Sequence, residues 1–167
     1  IYKEIYSSIK YVELFSSFEE MEGYKFDLIV VPNLVHHIAD QSNFFCSIHK
    51  LLSDNGQLYV FEALLREIHQ YPVDFIRYTP QGLSAQLKRC DFEEPQIREI
   101  GSPFEAVAYC LQICKEFIPP LESDFNNSLF SQNTIDYLRE IEDKYPKNLL
   151  RKNMSFPQAF SVLTSIN

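Results

Sequence analysis

A chain of 167 residues with 46% apolar residues is long enough for one domain with its own core and too apolar to be disordered. Its net charge of -8 excludes a broad basic face, so nucleic acid is not expected as a partner. No apolar run approaches the roughly 18 residues of a membrane span, and no signal-peptide pattern opens the chain. The chain begins at Ile1 without an initiator Met or a capping signal, and a fragment or processed product is expected.

In chain order, Asp27–Val31 reads as a fully buried, β-branched strand of the kind found inside a parallel sheet. Phe44, Phe45, Ile48, Leu51 and Leu52 recur at helical spacing, with Asp40 or Ser42 as the cap. "SDNG", Ser53–Gly56, ends that helix, with Asn55 or Gly56 taking the left-handed conformation. Gln57–Glu62 is the next strand, completing a βαβ unit with a right-handed crossover. Thr79 caps the next helix, with Pro80 in its first position and Leu83, Leu87 and Cys90 facing inward. Asp91 ends it, and Gln96–Ile100 is a third strand.

Phe104, Val107, Ala108, Leu111, Cys114 and Ile118 mark one face of a further, unusually apolar helix, which Pro119-Pro120 stops. Core packing is the default for that face, against a lid, a dimer surface or a membrane-contacting surface. A polar stretch leads to a short helix near Thr134–Lys144, and Ala159–Ile166 forms the last strand. The alternation implies an α/β layered fold in a single domain, with residues 119–155 as a helical and irregular insertion. None of the four cysteines forms a C-x-x-C pair. Cys110 and Cys114, stacked on a helix, read as small core residues rather than a metal pair. A reduced, cytoplasmic protein with no metal site is expected.

Three segments carry a resemblance: "FDLIVVPNLVHHIAD", "HKLLSDNGQLYVFE" and "YPVDFIRYTPQGLSAQLKRCDFEE". They resemble the C-terminal two-thirds of a class I S-adenosylmethionine-dependent methyltransferase. There an apolar strand opening Phe-Asp is followed by a Glu/His-His-Ile/Val segment, here Leu34–Ile38. A helix ending L-L-x-x-G-G-x-L follows, here Leu51–Leu58, with Asn55 in place of the first glycine. A narrower pattern matches at nine positions in register: His69, Pro72, Asp74, Arg77, Tyr78, Thr79, Pro80, Gly82 and Leu83. Its members act in sugar and secondary-metabolite pathways. The resemblance covers residues 9–100 well and the last strand loosely.

The resemblance implies a Rossmann-like three-layer sandwich, a mostly parallel sheet of order 3-2-1-4-5-7-6 and an antiparallel last strand. Here that fold is truncated at its N-terminus. The cofactor implied is S-adenosylmethionine and the substrate a small molecule, sugar-type included. Ser17 and Phe18 would flank the adenine, and Val31, Pro32 and Asn33 the methionine part. His36 would line the pocket, and His37 or His69 would act as a base, the alternative being that His37 orients its loop by hydrogen bonds. Asp74 and Arg77 would contact substrate, or pair to fix their loop.

The family's glycine-rich turn, D/E-x-G-x-G-x-G, is missing: the four glycines, at 23, 56, 82 and 101, are isolated. The carboxylate that holds the ribose is missing as well. Removing the strands that carry them would bare one edge of Asp27–Val31. Ile9–Phe15, or a second chain in a homo-oligomer, is expected to cover it. Two rival readings are a methyltransferase-like interaction module without the cofactor half and a different nucleotide-binding α/β enzyme.

Overall fold

The computed structural model describes residues 13, 15–68, 73–116, 129–144 and 157–166. Strand β1 (Phe26–Pro32) leads through a 3-10 turn at Val35–His37 into helix α1 (Gln41–Leu51) and strand β2 (Leu52–Ala63). Helix α2 (Pro80–Lys88), strand β3 (Gln96–Ile100), helices α3 (Pro103–Glu116) and α4 (Gln132–Lys144) and strand β4 (Ala159–Ser165) follow. The sheet order is β1-β2-β4-β3. β1 and β2 are parallel, and β4 runs antiparallel between β2 and β3. This is the 4-5-7-6 half of the expected sheet.

The local signals act as their chemistry dictates. Asp40 caps α1 by accepting from the Asn43 N–H, and Thr79 caps α2 by accepting from the Gly82 N–H at 3.1 Å, with Pro80 in the first position. Asn55 takes φ 63° at the tight entry to β2. Next to it Gly56 has no room for a side chain: a Cβ there would lie 2.8 Å from Ser53 O and 2.9 Å from Phe26 O. The β1–β2 register shifts at this close approach, between Phe26 and Leu28.

The core lies between the sheet, α1 and α2. Phe45, Leu58, Val60, Leu83, Leu87, Phe160 and Val162 are fully buried in it, and each such side chain contributes about 1.5–3 kcal/mol.

Four expectations change. β1 is buried on one side only: Val31 packs into the core, but Leu28 and Val30 are 54% and 52% exposed. Among the described residues β1 pairs with β2 alone and is an edge strand of the sheet. Residues 9–12 and 14 of the expected cover lie outside the described residues.

The buried stripe of α3 runs through Ala106, Ala108 and Leu111, while Val107 is exposed. α3 packs on α4 through Ala108, Leu111 and Ile135, a contact that small Ala108 lets come close. That rotation leaves Cys110 and Cys114 exposed thiols rather than core residues.

Cys46 of α1 and Cys90, just beyond α2, form a disulfide with Cα atoms 5.0 Å apart, in place of the expected reduced pair. Their separation of 44 residues gives no spacing signal, and only the packing of α1 beside α2 brings them together.

No helix among the described residues is long and apolar enough to cross a membrane.

Candidate functional site

Ligands of open α/β sheets sit beyond the C-terminal ends of the strands. Here two loops meet at that place, residues 33–40 after β1 and the described residues 64–68 and 73–79 after β2. Asn33 ends β1 in the left-handed region, φ 49°, and its N–H donates to Phe61 O at 2.7 Å. A non-glycine residue at positive φ directly after a strand is a local strain held by its surroundings.

Glu62 supplies that hold. Leu58, Val60 and Glu62 alternate onto the same face of β2, so the carboxylate is carried into the core with the two apolar side chains. Glu62 and His36 are each only 2% exposed. Glu62 Oε1 accepts from the Val35 N–H at 2.7 Å, and Oε2 lies 2.8 Å from His36 Nδ1. Both oxygens therefore bind the turn that follows Asn33. A carboxylate accepts, so His36 Nδ1 carries a proton.

His37 is half-buried and lies against the second loop. Its Nδ1 is 3.0 Å from Val73 O, a carbonyl that accepts only, so this nitrogen donates. The two imidazoles lie 4.0 Å apart between ring centres. The Phe75 N–H donates to His36 O at 2.7 Å, closing a second tie between the loops.

Arg77 fixes the rest of the second loop. Its guanidinium holds Asp74 through both terminal nitrogens, and also donates to Ile76 O at 3.0 Å and Glu67 O at 3.1 Å. The hydrogen bonds it donates to Asp74 raise the Arg77 pKa, partly opposed by burial and helped by the charges of Asp74, Glu62 and Glu67. The pair expected from sequence is thus formed, with the fork spent on its own loop.

Beside these loops lies a cleft of ≈ 370 Å³, bounded by Asn33, Phe61, Ala63, Glu67, Tyr109 and Ala159, among others. Tyr109 of α3 donates its hydroxyl to Glu67. Burial, then the hydrogen bond and charge of Glu67, push its pKa up to about 12, so it is a neutral donor near neutral pH.

Ser17 and Phe18 lie on the other side of α1. The Phe18 ring packs edge-on against Phe44 at 5.7 Å and borders an apolar groove of ≈ 470 Å³ along β1, with Met21, Leu28, Val30 and Leu34. Val31, Pro32 and Asn33 form the end of β1 between this groove and the cleft; Val31 borders the groove and Asn33 the cleft. His69 lies outside the described residues, which hold no cluster of three or more potential metal ligands.

Sequence reasoning had the Leu58–Val60–Glu62 alternation as its one signal that Glu62 points inward. It passed over Glu67 and Tyr109 altogether. These two lie 42 residues apart and carry no shared motif.

No family profile and no curated protein matches the chain. Solved structures do. A SAM-dependent methyltransferase from Archaeoglobus fulgidus aligns over 97% of this chain and 71% of its own length, with a TM-score of 0.52 at 14% identity. A candidate sarcosine dimethylglycine methyltransferase from Galdieria sulphuraria aligns over 98% and 63%, with a TM-score of 0.53 at 12% identity. The CurJ carbon methyltransferase aligns over 98% and 37%, with a TM-score of 0.52 at 11% identity. The chain thus spans about a third to seven-tenths of these proteins. At such identities the likeness is one of fold, and the fold of this chain is that of the class I S-adenosylmethionine-dependent methyltransferases.

Proposed function

We propose that this chain forms the acceptor-side part of an S-adenosylmethionine-dependent methyltransferase acting on a small molecule, sugar-type acceptors included. The observation that carries the reading is the wall built at the C-terminal ends of β1 and β2. There the left-handed Asn33, the Glu62–His36 pair and the Asp74–Arg77 loop are tied together beside a cleft. Its ≈ 370 Å³ lies within the usual range for small-molecule sites.

The residues present fit one side of the cofactor. The end of β1 at Pro32 and the following Asn33, with Val31 buried behind them, offer backbone for the methionine part, and Phe18 beside the apolar groove, with neighbouring Ser17, offers a flank for the adenine. Bound S-adenosylmethionine would supply a methyl group carried on a sulfonium. The chain's own work is to hold the acceptor in line with that group and to exclude water. His37, oriented by its Nδ1 hydrogen bond to Val73 O, is the candidate base, and His69 is the second candidate for that role. Asp74 and Arg77 shape the acceptor side, and Tyr109 donates from α3. The similar structures include a candidate sarcosine dimethylglycine methyltransferase and a carbon methyltransferase, so this fold serves more than one kind of acceptor.

Titration of the ¹⁵N-labelled 167-residue chain with S-adenosylhomocysteine tests the reading. Without a glycine-rich turn, binding is expected to be weak, with a dissociation constant of about 1 mM. The shift changes should cluster at Ser17, Phe18 and Val31–His36. A response scattered over the surface, or none, would favour the interaction module instead. The exposed Leu28 and Val30 beside the apolar groove speak for that second reading.

A further inference from the structure

We propose that Glu62 is the positioning residue of the cofactor wall, acting through the Val35–His36 turn to set the backbone of Val31–Asn33 and the protonation pattern of His36. The inference rests on the methyltransferase reading and adds a residue to it. Three observations carry it. Glu62 is a buried carboxylate at the end of an otherwise apolar run, a costly placement that needs full compensation. Each oxygen has one partner in the turn, Val35 N–H on Oε1 and His36 Nδ1 on Oε2, so a single side chain fixes both the path of the turn and the orientation of the ring. And two residues before that turn lies the left-handed Asn33, whose N–H donates to Phe61 O, one residue from Glu62 on the same strand.

The carboxylate can only accept. It therefore selects one imidazole tautomer and one ring orientation. A glutamine in its place has the same shape and can still accept from the Val35 N–H through Oε1. Its amide N–H₂ would then face His36 Nδ1. Two donors cannot share that contact, so the proton must leave Nδ1 for Nε2, or the ring must turn.

The experiment is long-range ¹H–¹⁵N correlation on the labelled 167-residue chain, with and without S-adenosylhomocysteine, for wild type, Glu62→Gln and Val60→Ala. In the wild type His36 Nδ1 should be protonated, and S-adenosylhomocysteine should shift Val31 and Asn33. In Glu62→Gln the proton should move to Nε2. The affinity read at Val31 and Asn33 should fall about tenfold, the scale of losing a partner that orients a binding group. Val60→Ala weakens the same strand without touching the turn, and should leave tautomer and affinity as in the wild type. This separates positioning from general loss of stability.

A wild-type His36 protonated on Nε2 alone overturns the proposal, whether or not any variant folds. Unchanged affinity in Glu62→Gln, or an equal loss in Val60→Ala, overturns it as well. No wild-type response to S-adenosylhomocysteine with Nδ1 protonated overturns the methyltransferase reading, and the role of Glu62 falls with it for that separate reason.

Discussion

β1 and β2 both read in sequence as short apolar strands, yet the fold uses them in opposite ways. Leu58 and Val60 of β2 are fully buried between neighbouring strands and the helical layer, and the strand ends in a carboxylate with two partners. Leu28 and Val30 of β1 are more than half exposed, although their ladder to β2 is intact. The difference teaches that an apolar side chain stabilises by what covers it. A strand with a neighbour on one side and a helix on one face gains from only half of its residues. The interior strand carries the stability, and the edge strand presents surface.

Unequal responses to mutation would sharpen that contrast, and equal ones would break it. The largest effect is expected for Glu62→Ala, which strands His36 Nδ1 and the Val35 N–H in the core. Removing one member of a buried pair costs about 3–5 kcal/mol, measurable by urea unfolding. Leu58→Ala should cost about 2–5 kcal/mol by the same measurement, because it opens a cavity in the filled centre of the sheet. Loss of the α2 cap in Thr79→Ala should cost about 1 kcal/mol, since the Gly82 N–H loses its acceptor at the exposed end of the helix.

A fourth effect appears only in alkali. The folded pKa of Tyr109, about 12, lies above its ordinary value of 10.0. The folded chain therefore holds that proton more tightly. Its contribution to stability is complete below pH 10 and is lost as pH rises from there through about 12. Tyr24 and Tyr78 are raised as well, so tyrosinate absorbance should show several late-titrating phenols, and Tyr109→Phe should remove the one near 12. The smallest effect is expected at the edge: Leu28→Ser should change stability by no more than about 0.5 kcal/mol. A loss there as large as that of Leu58→Ala would mean that the outward face of β1 is covered in solution.

The sequence by itself determined the order of elements and the Thr79 cap, and it narrowed the first cap to Asp40 or Ser42 and the left-handed residue to Asn55 or Gly56. Each is set by residues within a few positions of one another. It also brought His36, His37, Asp74 and Arg77 to the right end of the sheet, because strand direction follows from the βαβ order and the Asp74–Arg77 pair is local. Only the tertiary structure decided which side of β1 is covered, how α3 is rotated and which cysteines meet. It also decided that Glu62 serves His36 and that Tyr109 meets Glu67. Burial and pairing across 26 to 44 residues depend on how the layers settle against each other. Periodicity marks an apolar face, but it does not name the surface that will cover it.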